Sequence, residues 1–206
     1  MMDLPKRKSP RISGYDYSTP NYYFITICTH EHKCLFGKPN HLNQRGMIVR
    51  EHIERLPGYY HGVNIDHFVV MPNHIHLIIA LNGSNNNLNI STIVALFKTG
   101  ITKQIREKEP GIKIWQRSFH DHVIRNQKSY EKIWMYIEDN PRKWEEDCFY
   151  PKNAEKRFRE GWKPSPTKGV IRCIYPSETT CPCGTSPSSV FSTWTTPPPP
   201  NGQRNF

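Results

Sequence analysis

His74-Ile75-His76, and farther on Tyr136 and Asn140, are the residues whose types and spacing best support chemistry in this 206-residue chain. Side chains alternate across a β-strand, so the first group puts two imidazoles on one face and Ile75 on the other. Neutral imidazole nitrogens are ready ligands for a divalent cation near physiological pH. On a helix, residues four apart lie one turn from each other, so the Tyr136 phenol and the Asn140 carboxamide share one side. The amide adds a neutral oxygen ligand. His74, His76 and Asn140 together would hold Mg²⁺ or Mn²⁺ with positions left for phosphate oxygens and water. A phenol beside that cation is a nucleophile for cutting a phosphodiester, once its reference pKa near 10 is offset.

Other assignments compete with this one. Ten tyrosines are present, and a helix tyrosine packed on a sheet is the commoner case. Tyr130 is the alternative nucleophile, but six residues is about one and two-thirds turns, which rotates it away from the side of Asn140. His120 and His122 alternate on another stretch of extended character. They are candidate DNA contacts or simply the polar face of a strand.

The elements that must position these residues follow from hydrophobic pattern. Tyr22 to Cys28 is aromatic and β-branched and reads as a buried strand. Val49, Ile53, Leu56 and Tyr60 recur at helical spacing, with Pro57-Gly58 weakening the end. Phe68-Val69-Val70 and Leu77-Ile78-Ile79, joined by Met71-Pro72-Asn73, form a β-hairpin whose second strand starts at His74. Ser91 or Thr92 is placed to cap a helix with Ile93, Leu96, Phe97, Ile101 and Ile105 inward, and with Lys98 and Lys103 on a face that could lie along phosphates. Trp115 to Ile124 reads as a fourth strand, and Ser129 to Trp144 as a last helix. The order βαββαβ plus a helix is the ferredoxin-like, α+β arrangement: an antiparallel sheet with the first and third strands central and two helices on one face, followed here by the helix bearing Tyr136.

Composition sets the context. A formal charge of +10 and a pI near 9.4 favour a polyanionic partner, nucleic acid first. The arm of residues 1–20 holds Lys6, Arg7, Lys8 and Arg11, then Tyr15 and Tyr17, a mixture of cations and aromatics suited to phosphates and stacked bases. Arg117 joins these candidate DNA contacts. Residues 21–150 form the expected domain. Residues 151–206 hold 10 of the 18 prolines and a Ser/Thr-rich run, a composition that resists a packed core, so this tail reads as largely disordered. No stretch approaches the roughly 18 apolar residues of a membrane span, and the start lacks an apolar signal core. The six cysteines form no CxxC pair, as in a reducing cytoplasm. Cys181 and Cys183 are closer together than zinc sites usually require.

Tyr22 to Cys28, Met71-Pro72-Asn73-His74-Ile75-His76, Phe97-Lys98-Thr99, Trp115 to Phe119 and Tyr136-Ile137-Glu138-Asp139-Asn140-Pro141 together resemble the single-tyrosine HUH transposases, most closely the REP-associated tyrosine transposases. The resemblance runs from about Arg7 to Pro151. It implies His74 and His76 as the histidine pair, Tyr136 as nucleophile and Asn140 as the helix-borne third ligand. It also implies a ferredoxin-like fold, a single-stranded DNA substrate bearing hairpins, and cleavage to a 5′-phosphotyrosine with a free 3′-hydroxyl. The expected setting is the nucleoid of a prokaryotic cytoplasm, as monomer or homodimer. Two other readings stay open: a catalytically silent DNA-binding protein of the same fold, and a histidine-rich metal-binding protein, which would leave the basic arm unexplained.

Overall fold

The structure is a computed structural model describing residues 11–12, 14–83 and 88–153. Lys6, Arg7, Lys8, Cys181, Cys183 and nearly all of the tail lie outside the described residues. The elements are Asn21–Cys28 (β1), Gly37–Lys38 (β2), His41–Leu42 (β3), Gln44–Tyr59 (α1), Val63–Val70 (β4), His74–Leu81 (β5), Ile90–Arg106 (α2), His120–Ile124 (β6) and Gln127–Asp139 (α3). The four long strands form one antiparallel sheet in the order β4-β5-β1-β6. The first and third strands of the expected βαββαβ unit, β1 and β5, are therefore central, as the ferredoxin-like arrangement requires. The small β2–β3 hairpin is an addition to it.

Strand alternation divides the core in two. Tyr23, Ile25 and Ile27 of β1, with Ile75, Leu77 and Ile79 of β5, pack with Val49, Ile53 and Leu56 of α1 and with Ile93, Phe97, Ile101 and Ile105 of α2. On the opposite face Phe24, Ile78 and Ile124 meet Tyr130, Ile133 and Ile137 of α3. Two further contacts fasten α3 to β4: the Trp134 ring stacks on His67 with centroids 4.3 Å apart, and the Tyr130 hydroxyl donates to Asp66. The helix bearing Tyr136 thus covers the face that carries His74 and His76.

Local chemistry shifts several expected boundaries. All three helices are capped by asparagine: Asn43 accepts from the Gly46 amide, Asn89 from Thr92 and Asn126 from Ser129. The caps of α2 and α3 therefore precede Ser91, Thr92 and Ser129, and Leu96 turns outward at 45% exposure. Helix α1 continues through Pro57 to Tyr59. The strand expected from Trp115 begins only at His120. Trp115 still bridges Thr29 and the Gln116 amide donates to the Cys28 carbonyl, but the carbonyls of Gln116, Arg117 and Ser118 turn to the Lys98 ammonium, and the continuous ladder starts at His120.

Ile93 is fully buried and Leu96 is not, so truncating each separates core from surface. In urea denaturation Ile93→Ala is expected to cost about 2–5 kcal/mol, and Leu96→Ala less than about 1 kcal/mol.

Candidate active site

Register brings the site together. Thr26 of β1 pairs with His76 of β5 on one side and with His120 of β6 on the other, so all three side chains share the face covered by α3. His74 follows on the same face, opposite Cys28.

Each imidazole is held through Nδ1. His74 Nδ1 lies 2.9 Å from Asn73 Oδ1, and His76 Nδ1 lies 2.8 Å from Thr26 Oγ1. Asn73 is completely buried, and its Nδ2 donates to the carbonyls of His32 and Phe149 at 3.1 and 2.8 Å. Its Oδ1 can only accept, so His74 carries its proton on Nδ1 and presents a bare Nε2. Asn73 therefore sets the tautomer of its neighbour as well as shaping the β4–β5 turn.

Helix α3 brings the other members. The Tyr136 hydroxyl lies 3.4 Å from His76 Nε2 and donates to Asp147 Oδ2 at 3.3 Å. Asn140, the residue closing α3, donates Nδ2 to the same Asp147 oxygen at 2.8 Å. A carboxylate only accepts, which fixes the amide: Nδ2 goes to Asp147 and Oδ1 is left facing elsewhere. That Oδ1 and His74 Nε2 are both buried and have no hydrogen-bond partner of normal geometry. Asn140 and Asp147 also stand close enough to the His74 ring to oppose the fall in its pKa. Ligand atoms of His74, His76 and Asp147, all buried, lie within 4.8 Å of one another.

Two orphaned acceptors beside a buried carboxylate are what a bound cation satisfies, and leaving each unmet costs about 1–3 kcal/mol. Two imidazole nitrogens with oxygen donors beside them form a set that could hold a divalent cation. Burial drives the His74 pKa from 6.5 down to about 4 and that of His76 well below 6.5, with His74 and then His120 adding to the effect at His76. Both rings are neutral at pH 7 and need lose no proton to bind a metal.

The other expected residues are distributed around this centre. Tyr130 is buried in the α3 seam with its hydroxyl on Asp66, and desolvation followed by Asp66 raises its pKa, so it stands apart from the histidine pair. His120 flanks Thr26 and His122 pairs with Phe24, and burial lowers both pKa values to about 4. Lys98 is engaged with the loop carbonyls, and desolvation lowers its pKa to about 8. Lys103 and Arg117 are exposed. Arg11 pairs with Asp121 and lies 3.6 Å from the Phe119 ring centre, while Tyr15 and Tyr17 pack edge to face at 5.0 Å against the domain. Asp147, Asn73 and Thr26 are the site residues that sequence reasoning missed. Asn73 adjoins the histidine pair and so had a signal. Asp147 ends an acidic run, Glu145-Glu146-Asp147, with nothing to single it out.

Residues 17–140 match the family model described as Transposase IS200 like. An uncharacterised protein of Haemophilus influenzae is 36% identical over 167 residues, covering 70% of this chain and 93% of that one. A second protein of the same organism, named as a REP-associated tyrosine transposase, is 26% identical over 170 residues, covering 73% and 92%. Among solved structures, a REP-associated tyrosine transposase bound to a REP hairpin has a TM-score of 0.51 at 22% identity, covering 79% of this chain and 89% of that one, a likeness of fold.

Neutral buried histidines make stability depend on pH with a definite sign. The unfolded chain takes up protons below about pH 6.5, whereas folded His74 resists until about pH 4, so stability falls as pH drops through that window. Between pH 6.5 and 5, before most carboxylates titrate, the metal-free protein is expected to lose about 1.5 kcal/mol from His74 alone in urea titrations. A flat profile there would contradict the burial.

Proposed function

The chain belongs to the IS200-like transposase family, and on that premise we propose that it cuts and rejoins single-stranded DNA through a covalent bond to Tyr136. The observation that carries this reading is the Tyr136 hydroxyl standing 3.4 Å from His76 Nε2, beside the orphaned His74 Nε2 and Asn140 Oδ1. His74, His76 and Asn140 would hold Mg²⁺ or Mn²⁺, which when bound polarises the scissile phosphate and neutralises charge developing on it.

The chain's own residues do the rest. Tyr136 Oη gives up its proton and attacks phosphorus, a Tyr–O–P bond forms, and the bond from phosphorus to the 3′-oxygen breaks as that oxygen takes up a proton. The strand then carries a 5′-phosphotyrosine and a free 3′-hydroxyl. Reversal by a second 3′-hydroxyl rejoins DNA. The phosphotyrosine bond conserves the energy of the phosphodiester, so strand transfer needs no ATP. Asn73 and Thr26 hold the two imidazoles, and α3 holds the phenol in line with them.

Hairpin-bearing single strands, REP-like or from transposon ends, are the proposed substrate, after the partner named for the solved relative. Residues 21–150 form the catalytic unit. The residues 1–20 arm, through Lys6, Arg7 and Lys8, and the exposed Lys103 and Arg117 contact the DNA backbone, while Arg11 anchors the arm to Asp121. Residues 151–206 form an appended tail. Among the described residues no helix is long and apolar enough to cross a membrane, and the site of action is the prokaryotic nucleoid.

The test mixes purified protein with labelled single-stranded oligonucleotides from its own gene's flanks and Mg²⁺ or Mn²⁺. A denaturation-resistant protein–DNA adduct is expected, absent with EDTA. Tyr136→Phe should lower adduct formation at least about 10³-fold with DNA retention within about threefold. Retention without an adduct under either metal would favour a catalytically silent DNA-binding protein.

A further inference from the structure

Asp147 lies outside the ligand set just described, and its surroundings call for a counter-ion. It is 6% exposed and accepts from Asn140 Nδ2, the Tyr136 hydroxyl and the Phe149 amide, the last at 2.6 Å. These partners are neutral. Among the described residues no Lys or Arg forms an ion pair with it. An uncompensated buried carboxylate costs several kcal/mol. A carboxylate oxygen of Asp147 and ring nitrogens of His74 and His76 lie within 4.8 Å of one another, and both imidazoles are neutral.

The proposed ligands have the complementary deficit. His74, His76 and Asn140 carry no charge among them, yet a buried divalent cation requires negative charge close by. Resting on the metal reading above, we infer that Asp147 supplies the negative charge that lets this neutral set bind a divalent cation, and that its hold on Asn140 Nδ2 keeps Oδ1 turned toward the ion. One carboxylate then performs both tasks, and it leaves the second positive charge of the cation for the scissile phosphate.

Mn²⁺ binding to the full-length protein, followed at neutral pH by electron paramagnetic resonance, reads this without any turnover. Asp147→Asn keeps the size and an acceptor oxygen but removes the charge. It is expected to weaken Mn²⁺ binding at least about tenfold, while relief of the buried charge leaves the metal-free melting temperature no lower than wild type. The exchanged double variant Asn140→Asp with Asp147→Asn returns the charge and reverses the donor and acceptor. It is expected to bind within about threefold of wild type. Asn140→Asp alone adds a second carboxylate and should bind Mn²⁺ more tightly, which decides the matter if Asp147→Asn does not fold. Wild-type affinity in Asp147→Asn, no recovery in the exchanged variant, or unchanged affinity in Asn140→Asp would each overturn the inference. A wild-type protein that binds no Mn²⁺ would instead overturn the metal reading itself.

Discussion

Everything at the site depends on α3 lying across one face of the sheet, fastened by Tyr130, Ile133 and Ile137 against Phe24, Ile78 and Ile124. The phenol and amide belong to the helix, the imidazoles belong to β5, and no covalent proximity joins them: sixty positions separate Tyr136 from His76. The apolar seam, with Trp134 stacked on His67 at its margin, converts that separation into contact. Its chemistry is ordinary hydrophobic burial. Its consequence is specific, because Ile133 and Ile137 bracket Tyr136 on the helix, and packing them inward fixes the depth to which the hydroxyl reaches.

Once α3 is seated, burial governs the electrostatics. The two histidines are inaccessible to solvent and therefore neutral, which keeps their nitrogens available as ligands at pH 7. Asn73 and Thr26 restrict ring orientation, and Phe149, whose carbonyl accepts from Asn73, packs its ring against His74 with centres 4.6 Å apart. The same burial makes every unpaired polar atom expensive. The orphaned His74 nitrogen and Asn140 oxygen each carry that cost, and a bound cation would relieve both.

Much of this was legible in the sequence. Strand alternation placed both imidazoles of His74-Ile75-His76 on one face, helical spacing placed Tyr136 with Asn140, and the hydrophobic pattern recovered the order of strands in the sheet. What escaped it depends on tertiary closure. Asp147 sits in an aperiodic turn beyond Pro141, and only the return of the chain toward α3 brings it under Asn140. Lys98 has the composition of a surface cation, but three loop carbonyls draw its ammonium inward and shorten β6. Helix starts were misjudged for a local reason: asparagine outcompeted the nearby serine and threonine, because its side-chain carbonyl reached the third amide of the helix at 2.8 Å in both α2 and α3.

The most direct test of the central claim is a crystal structure grown with Mn²⁺ and examined by anomalous scattering. The account requires one strong peak within coordination distance of His74 Nε2, His76 Nε2 and Asn140 Oδ1, with the Tyr136 hydroxyl facing it. A manganese peak elsewhere, or a Tyr136 side chain turned away from the occupied histidine pair in every copy, would contradict it.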